Sequence, residues 1–296
     1  MKNNKGKEVK ELDALKVSHV YKSFDKFQLE DINFHLPKGS IMGLIGENGA
    51  GKSTIINCIL ELVKKDQGDI EIFGTPIEER TLAQREELGV VLDIGDFYDA
   101  FDLEQCEKIL RDLYKNWDST AFEKYKEKFS LPDKKRIQEF SRGMKMKTSI
   151  AIALSHHPRI LILDEATSGL DPIMRDEILD VFLDFVQDEQ HAILISSHIS
   201  SDLEKVADYI TFIHDGKLIL SSSKDELIYQ YGIMKCRNDE FENIDQEDIL
   251  RYRKDTYAIE ILVKDREAAA RKYSNCVVDP ARLDDIMMLY VKGEQL

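Results

Sequence analysis

The feature that most constrains the fold of this chain is a glycine-rich stretch between two apolar segments. Residues 40–46 read SIMGLIG, a short apolar run typical of a strand that is buried on both faces. The string GENGAGKST follows, and then the periodic segment KSTIINCILELVKK, which predicts a helix over residues 52–65. Residues 46–54 therefore fit G-x-x-x-x-G-K-[ST], with the strand before it and the helix after it that the motif requires. The pattern predicts a strand, a phosphate-binding loop and a helix in that order.

The chemistry of this loop favours a bound nucleotide. Glycines let backbone N–H groups converge on phosphate oxygens, at a helix N-terminus whose dipole favours anions. Lys52 is expected to reach the β- and γ-phosphates, and the hydroxyl of Ser53 is expected to hold Mg²⁺. Many activities share such a loop, so it predicts nucleotide binding and not a particular reaction. The candidate nucleotide-binding residues in it are Gly46, Glu47, Asn48, Gly49, Ala50, Gly51, Lys52, Ser53 and Thr54.

A second apolar run, ILILDE at residues 160–165, ends in two acids. On its own it could be a strand with a solvated end. In a chain that also carries a phosphate loop, Asp164 is the expected partner of Mg²⁺ through water, and Glu165 is positioned to polarise an attacking water.

The order of elements predicts the fold class. Residues 15–36 alternate apolar and polar side chains, which favours antiparallel strands, whereas strands and helices alternate after residue 143 and indicate a mostly parallel α/β sheet. A charged helical stretch lies between residues 101 and 129. Near residue 222 the composition changes again, to a charged stretch. We expect one domain over 14–221, with an inserted helical subdomain at about 97–140, and a small C-terminal α+β appendage over 222–296.

Four motifs follow one another along the chain: GENGAGKST, FSRGM, LILDEATSGLD and the histidine of ISSHIS. In this order the chain resembles the ATP-binding subunit of an ABC transporter over roughly residues 15–221. The resemblance implies a P-loop NTPase fold of the ABC type, with an antiparallel β subdomain. It also implies ATP and Mg²⁺ as ligands and an ATPase that works as a pair of subunits.

The segment FSRGM, residues 140–144, resembles a divergent form of the family signature, which usually reads LSGGQ. The resemblance implies that Ser141 and Gly143 close over ATP held by the other subunit of a head-to-tail dimer. The alternative is that Ser141 is an ordinary N-cap of a core helix. Arg142 and Met144 depart from the family pattern, and Arg142 could add positive charge near the nucleotide or face solvent.

The resemblance assigns further positions by local match. Phe24 would stack on adenine, with Tyr21 as the alternative, although either could be core. Asp171 in SGLD would sense the partner subunit, and His198 would be the switch histidine that contacts the γ-phosphate. Asp93 stands where the family usually has glutamine, so it would contact Mg²⁺ directly or slow hydrolysis by repelling Glu165.

The net charge and hydropathy of the chain limit the kinds of partner that it can have. The 41 Lys and Arg against 56 Asp and Glu leave a net charge of −15, which disfavours nucleic-acid binding. No apolar run approaches the roughly 20 residues that span a bilayer, so a membrane role requires another chain. The four cysteines are scattered, without the close pairs of zinc or redox motifs, and are expected to be reduced.

We therefore predict the ATP-hydrolysing subunit of a transporter, at the cytoplasmic face of the cell membrane. Its partners would be a polytopic transmembrane subunit and a second copy of itself or a paralogous ATPase. The sequences around these motifs resemble those of ATPases from bacterial exporters of drugs, antimicrobials or peptides. They resemble less closely those of exporters of amphipathic peptides such as phenol-soluble modulins. Two alternatives remain: a soluble ABC ATPase acting on the ribosome or nucleic acid, and a subunit that binds ATP without hydrolysing it.

Overall fold

Two sheets organise the chain. The computed structural model describes residues 13–92, 100–254 and 258–295. The strands are β1 (Leu15–Phe24), β2 (Phe27–Leu36), β3 (Ser40–Ile45), β4 (Gln67–Ile72), β5 (Thr75–Pro76), β6 (Leu88–Val91), β7 (Ile160–Asp164), β8 (Ala192–Ser197), β9 (Tyr209–His214), β10 (Lys217–Ser223), β11 (Gly232–Cys236), β12 (Arg251–Lys254), β13 (Ile259–Val263) and β14 (Val277–Pro280). The α-helices are α1 (Lys52–Ile59), α2 (Leu82–Arg85), α3 (Leu103–Leu113), α4 (Ser119–Lys128), α5 (Arg142–Leu154), α6 (Pro172–Phe185), α7 (Ser200–Val206), α8 (Asn238–Phe241), α9 (Arg266–Lys272) and α10 (Leu283–Lys292).

The centre of the first sheet is parallel. Its strand order is β5-β4-β1-β2-β10-β9-β3-β8-β7-β6, and the run from β9 to β6 pairs in parallel. Strands β3, β7 and β8 are buried along their whole length, which is why apolar residues make up most of their sequences. The carboxyl ends of parallel strands meet at one edge of a sheet, so the loops after β3, β7 and β8 lie together.

The other half of this sheet is antiparallel. Strand β1 pairs antiparallel with β2 and with β4, and β10 joins this half to β9. The P-loop α/β fold with an antiparallel β subdomain, predicted from the sequence, is therefore confirmed.

Helices α3 and α4 form the insertion. Asp102 caps α3 in a capping box with Gln105, and the buried face of α3 carries Leu103, Cys106 and Leu110. Trp117 packs on Phe122 with ring centroids 5.2 Å apart, so these aromatics are part of the core of the insertion.

The last part of the described chain forms a second sheet, of order β12-β13-β11-β14, in which all pairs are antiparallel. Helix α10 joins it to the main core, because Leu283, Ile286 and Leu289 are buried in the same apolar cluster as Phe212. Since β10 ends at Ser223 and β11 begins at Gly232, we propose that the appendage begins close to residue 222.

One expected helix is shorter than its periodicity suggests. Helix α1 ends at Ile59, not near residue 65, because Glu61 has a left-handed φ of 57° that a helix cannot continue. Within the ranges 13–92, 100–254 and 258–295, no helix is long and apolar enough to cross a membrane.

Candidate functional site

The phosphate loop connects β3 to α1. Gly51, with φ 117°, caps α1 and packs against Phe27 and Leu29, where a Cβ atom would overlap both side chains. A Cβ on Gly46 would overlap the carbonyl oxygen of Ile213 on β9. Gly49 has open space around its Cα, so this part of the loop is free to approach a ligand.

Lys52 is held inside this loop. Its Nζ donates hydrogen bonds to Gly46 O at 2.8 Å and to Glu47 O at 3.2 Å, and the side chain is only 5% exposed. The same Nζ lies 3.4 Å from Oε1 of Glu165. Ser53, the next residue in the first turn of α1, is exposed.

A buried serine joins the two acids at the end of β7. Ser196 on β8 donates a hydrogen bond to Oδ1 of Asp164 at 2.5 Å, and its hydroxyl oxygen accepts one from the backbone N–H of Glu165 at 3.1 Å. Glu165 has a left-handed φ of 55°, which turns its side chain away from the strand. Ser196 was not among the residues predicted from the sequence. The only signal for it is a serine near the end of a mostly apolar strand.

Glu165 also meets the predicted switch histidine. Nδ1 of His198 lies 2.6 Å from Oε2 of Glu165, so the carboxylate lies between the imidazole and the Lys52 ammonium. Glu165 is 15% exposed and His198 is 40% exposed. The loops after β3, β7 and β8 thus bring together Lys52, Glu165 and His198, as parallel strand ends predict.

A metal ion would find a small oxygen donor set here. Among the residues that the structure describes, there is no group of three or more His, Cys, Asp or Glu side chains that could hold a metal ion. Ser53 and Asp164 offer a hydroxyl and a carboxylate, which suits Mg²⁺ because this ion binds few protein ligands and completes its shell with phosphate oxygens and water. The third predicted ligand, Asp93, lies outside the described residues.

Phe24, the residue predicted to stack on adenine, lies at the turn between β1 and β2. Phe24 ends β1 and is 49% exposed, and Nζ of Lys22 lies 5.3 Å from the centroid of its ring. An exposed ring is available for stacking. Phe27, which the sequence did not suggest, packs on Gly51 of the phosphate loop. Tyr21, the alternative to Phe24, is part of the β1–β4 pairing opposite Gln67.

The FSRGM segment begins α5. Ser141 is its N-cap and accepts a hydrogen bond from Met144 N–H at 3.2 Å, as an ordinary capping serine does. Gly143 is buried, and a Cβ there would overlap Sδ of Met174 on α6, so this glycine has a packing role within the chain as well. The Arg142 guanidinium packs on the backbone of Gly169 in the SGLD loop.

Asp171 caps α6. Its Oδ1 accepts hydrogen bonds from the N–H groups of Ile173 at 3.1 Å and Met174 at 3.0 Å, with Pro172 in the first helical turn. Asp171 is exposed, so its carboxylate keeps a free side toward solvent.

An ion pair that the sequence did not suggest links α6 to α7. Nη1 of Arg175 lies 3.6 Å from Oδ1 of Asp202, which is 2% exposed, and Nη2 of Arg175 donates to Leu170 O at 3.3 Å. Because α7 follows His198 and α6 follows Asp171, this pair connects the two loops through their helices.

The chain is similar to known proteins. A family model described as ABC transporter matches residues 29–168. The lantibiotic transport ATP-binding protein SrtF of Streptococcus pyogenes is 37% identical over 213 residues, which are 71% of this chain and 91% of that protein. The bacitracin transport ATP-binding protein BcrA of Bacillus licheniformis is 34% identical over 221 residues, covering 74% and 71% of the two chains. This chain belongs to the ATP-binding proteins of ABC transporters.

A solved structure agrees with this membership. An ATP-binding subunit of an ABC transporter superposes with a TM-score of 0.66 at 27% identity, covering 72% of this chain and 91% of that one. The resemblance inferred from the sequence is thus confirmed. As an ABC transporter ATP-binding subunit, the chain belongs to a class that binds and hydrolyses ATP to drive transport, and the alternative of a soluble ribosomal ATPase is set aside.

Proposed function

We propose that this chain is the ATPase subunit of an exporter of antimicrobial peptides. The observation that carries the proposal is the 37% identity to a lantibiotic transport ATP-binding protein over 91% of that protein's length. The similarity to a bacitracin transport ATP-binding protein points to the same class of cargo.

ATP hydrolysis would use the residues at the ends of β3, β7 and β8. Lys52 would leave Glu165 and the loop carbonyls to bind the β- and γ-phosphates. Glu165 would then be free to accept a proton from the attacking water, with His198 keeping its carboxylate oriented. Mg²⁺ would be held by Ser53 and Asp164 and would neutralise charge on the phosphates. The predicted contact of Asp93 with Mg²⁺ stays a prediction.

A second subunit would complete the site. Ser141 is exposed at the N-terminus of α5, whose dipole favours an anion such as the γ-phosphate of ATP on a partner subunit. Asp171, the N-cap of α6, is exposed as well. Because Arg142 and Met174 pack these two segments together, the signature segment and the SGLD loop would meet the partner as one surface.

The proposal requires a membrane-spanning partner, which places the chain at the cytoplasmic face of the membrane. A cavity of about 510 Å³ lies between α1, α2, β6 and the end of α3. Leu82 and Leu113 line it and are 78% and 60% exposed, and Arg85, Glu86 and Lys115 supply charges around it. We propose that it receives a short amphipathic cytoplasmic helix of the transmembrane subunit, because such a helix offers apolar and charged side chains in the same pattern.

Affinity purification from detergent-solubilised membranes of the host tests the partner. We expect the tagged chain to recover a polytopic protein in stoichiometric amount. Leu82→Glu should abolish this recovery, whereas Leu62→Glu, a matched control that is 63% exposed and does not line the cavity, should retain it. Recovery with ribosomes and without a polytopic protein would contradict the proposal.

The cargo requires a separate test. Loss of this subunit should raise the sensitivity of the host to lantibiotic or bacitracin-like peptides, and restoring the native chain should reverse the effect. Restoring Glu165→Gln should not, because export would lack hydrolysis. Unchanged sensitivity to peptides of both kinds would contradict the proposed cargo and leave the ATPase assignment intact.

A further inference from the structure

The second sheet brings two of the scattered cysteines together. Strands β11 and β14 pair antiparallel from Gly232↔Pro280 to Lys235↔Val277. Continued by one residue, this register sets Cys236 opposite Cys276. Both belong to one apolar cluster, in which Cys276 packs against the buried set that includes Cys236.

The type of pairing can be read from one hydrogen bond. The N–H of Ala281 donates to Tyr231 O at 3.3 Å, so these opposite residues are a hydrogen-bonded pair. Hydrogen-bonded and non-hydrogen-bonded pairs alternate along an antiparallel ladder, which makes Cys236 and Cys276 a non-hydrogen-bonded pair. Pro280, which has no N–H, also falls on a non-hydrogen-bonded position, as this assignment requires.

This pairing brings the two side chains within reach of each other. Opposite residues in a non-hydrogen-bonded pair have Cα atoms about 4.5 Å apart and side chains on the same face. Disulfides span Cα distances of about 4.4–6.8 Å, so the pair falls at the short end of the permitted range. A bond formed there would be partly exposed through Cys276, and exposed disulfides are among those that are readily reduced.

Cys276 is the more exposed cysteine of the pair. Cys236 is 3% exposed, whereas Cys276 is half-buried, and a cavity of about 430 Å³ is lined by Cys236 and by Asn275 and Val277 on either side of Cys276. Burial raises the pKa of the Cys236 thiol to about 11 and also raises the pKa of Cys276. Attack on an oxidant is therefore expected to begin at the more accessible Cys276.

We propose that Cys236 and Cys276 form a reversible disulfide when the protein meets a low-molecular-weight disulfide. The sulfur of Cys276 attacks the oxidant, forming a mixed disulfide and releasing one small thiol. The sulfur of Cys236 then attacks Cys276, forming the protein disulfide and releasing the second small thiol. The two cysteine protons pass to the two released thiols, so the cysteines are oxidised and the small disulfide is reduced.

The disulfide would link β14, the edge strand of the second sheet, covalently to β11. Strand β14 is an edge strand of the described sheet, next to β11, and it leads into α10, which packs on the main core. The disulfide would close a loop that contains α8, β12, β13 and α9, and would hold β14 in register.

Mass spectrometry of the whole folded chain tests this proposal. The chain is incubated with oxidised glutathione, its remaining thiols are alkylated, and it is digested without reduction. We expect the loss of two hydrogens in mass, a cross-linked peptide that joins Cys236 to Cys276, and reversal by a dithiol reductant. Cys58 and Cys106, both buried and on separate helices, are internal controls that should be alkylated only after unfolding.

Two variants separate the steps. Cys236→Ser should keep a stable glutathione adduct on Cys276, because no second thiol can displace it. Cys276→Ser should leave Cys236 free of glutathione. The proposal is overturned if the native chain retains glutathione on Cys276 without a cross-link, or if both cysteines remain free after exposure to the oxidant.

Discussion

Nδ1 of His198 lies 2.6 Å from Oε2 of Glu165. This contact joins the loop after β8 to the loop after β7, and the other carboxylate oxygen of Glu165 lies 3.4 Å from Lys52. One carboxylate therefore links three loops. ATP binding would exchange the Lys52 contact for phosphate and leave the His198 contact to orient Glu165.

Ser196→Ala should weaken Mg²⁺ binding. The substitution removes the hydroxyl that donates to Asp164 and accepts from the Glu165 backbone. Loss of a residue that orients a metal ligand typically lowers metal affinity about 10- to 100-fold. We expect the Mg²⁺ concentration for half-maximal ATPase activity to rise by that factor, with ATP affinity measured without metal unchanged.

The matched control is Ser155→Ala, because Ser155 is also fully buried and donates a 2.6 Å hydrogen bond to a helix carbonyl, that of Ala151. Its Mg²⁺ dependence should equal that of the native chain. Equal Mg²⁺ dependence in Ser196→Ala would show that Ser196 does not position Asp164.

Two glycines of the phosphate loop should respond differently to alanine. Gly46→Ala forces a Cβ against the Ile213 carbonyl oxygen, and backbone on both sides must move, so we expect a loss of about 3 kcal/mol in unfolding free energy. Gly49→Ala meets no atom and costs only the left-handed φ of 84°, about 1–2 kcal/mol.

Urea unfolding compares the two variants. Gly49→Ala should keep its fold while losing ATP affinity, because the new methyl group occupies space left open for phosphate. A Gly46→Ala chain no less stable than Gly49→Ala would contradict the packing assigned to Gly46.

His156 should make stability depend on pH. It is 1% exposed and stacks on Tyr114 with ring centroids 4.3 Å apart, and burial lowers the pKa of its imidazole below the ordinary value of 6.5. The folded chain therefore binds this proton more weakly than the unfolded chain. The contribution to stability is present above the ordinary histidine pKa and is lost as the pH falls through the lower folded pKa.

The measurement is urea unfolding one pH unit above and one below the ordinary histidine pKa, for the native chain and for His156→Asn. Asparagine can keep the hydrogen bond to Glu86 O but does not titrate in this range. The loss of stability at the lower pH should be smaller in the variant. Equal losses would assign the pH effect to other groups.

The sequence predicted the residues that sit at strand ends. Lys52, Asp164, Glu165 and His198 each follow a buried apolar run, and parallel strands bring such ends together. Ser196, Phe27 and the Arg175–Asp202 pair were missed because their roles come from contacts across the fold. A serine in an apolar strand or an arginine on a helix carries no local signal of its partner.

The second sheet was harder to predict. The sequence predicted a small α+β appendage but not the order of its sheet, because β11, β12 and β14 are only four or five residues long. The pairing of Cys236 with Cys276 follows from the register of β11 and β14, which are far apart in sequence.

The most direct test of the central claim is the oligomeric state and phosphate release of Glu165→Gln with Mg-ATP, beside the native chain. Glutamine keeps the shape of the side chain but cannot accept the proton of the attacking water, so phosphate release should fall by about 100-fold or more. The account predicts that the variant binds ATP and elutes as a stable dimer, alone or with its membrane subunit. A variant that hydrolyses ATP at the native rate, or that stays monomeric under both conditions, would contradict it.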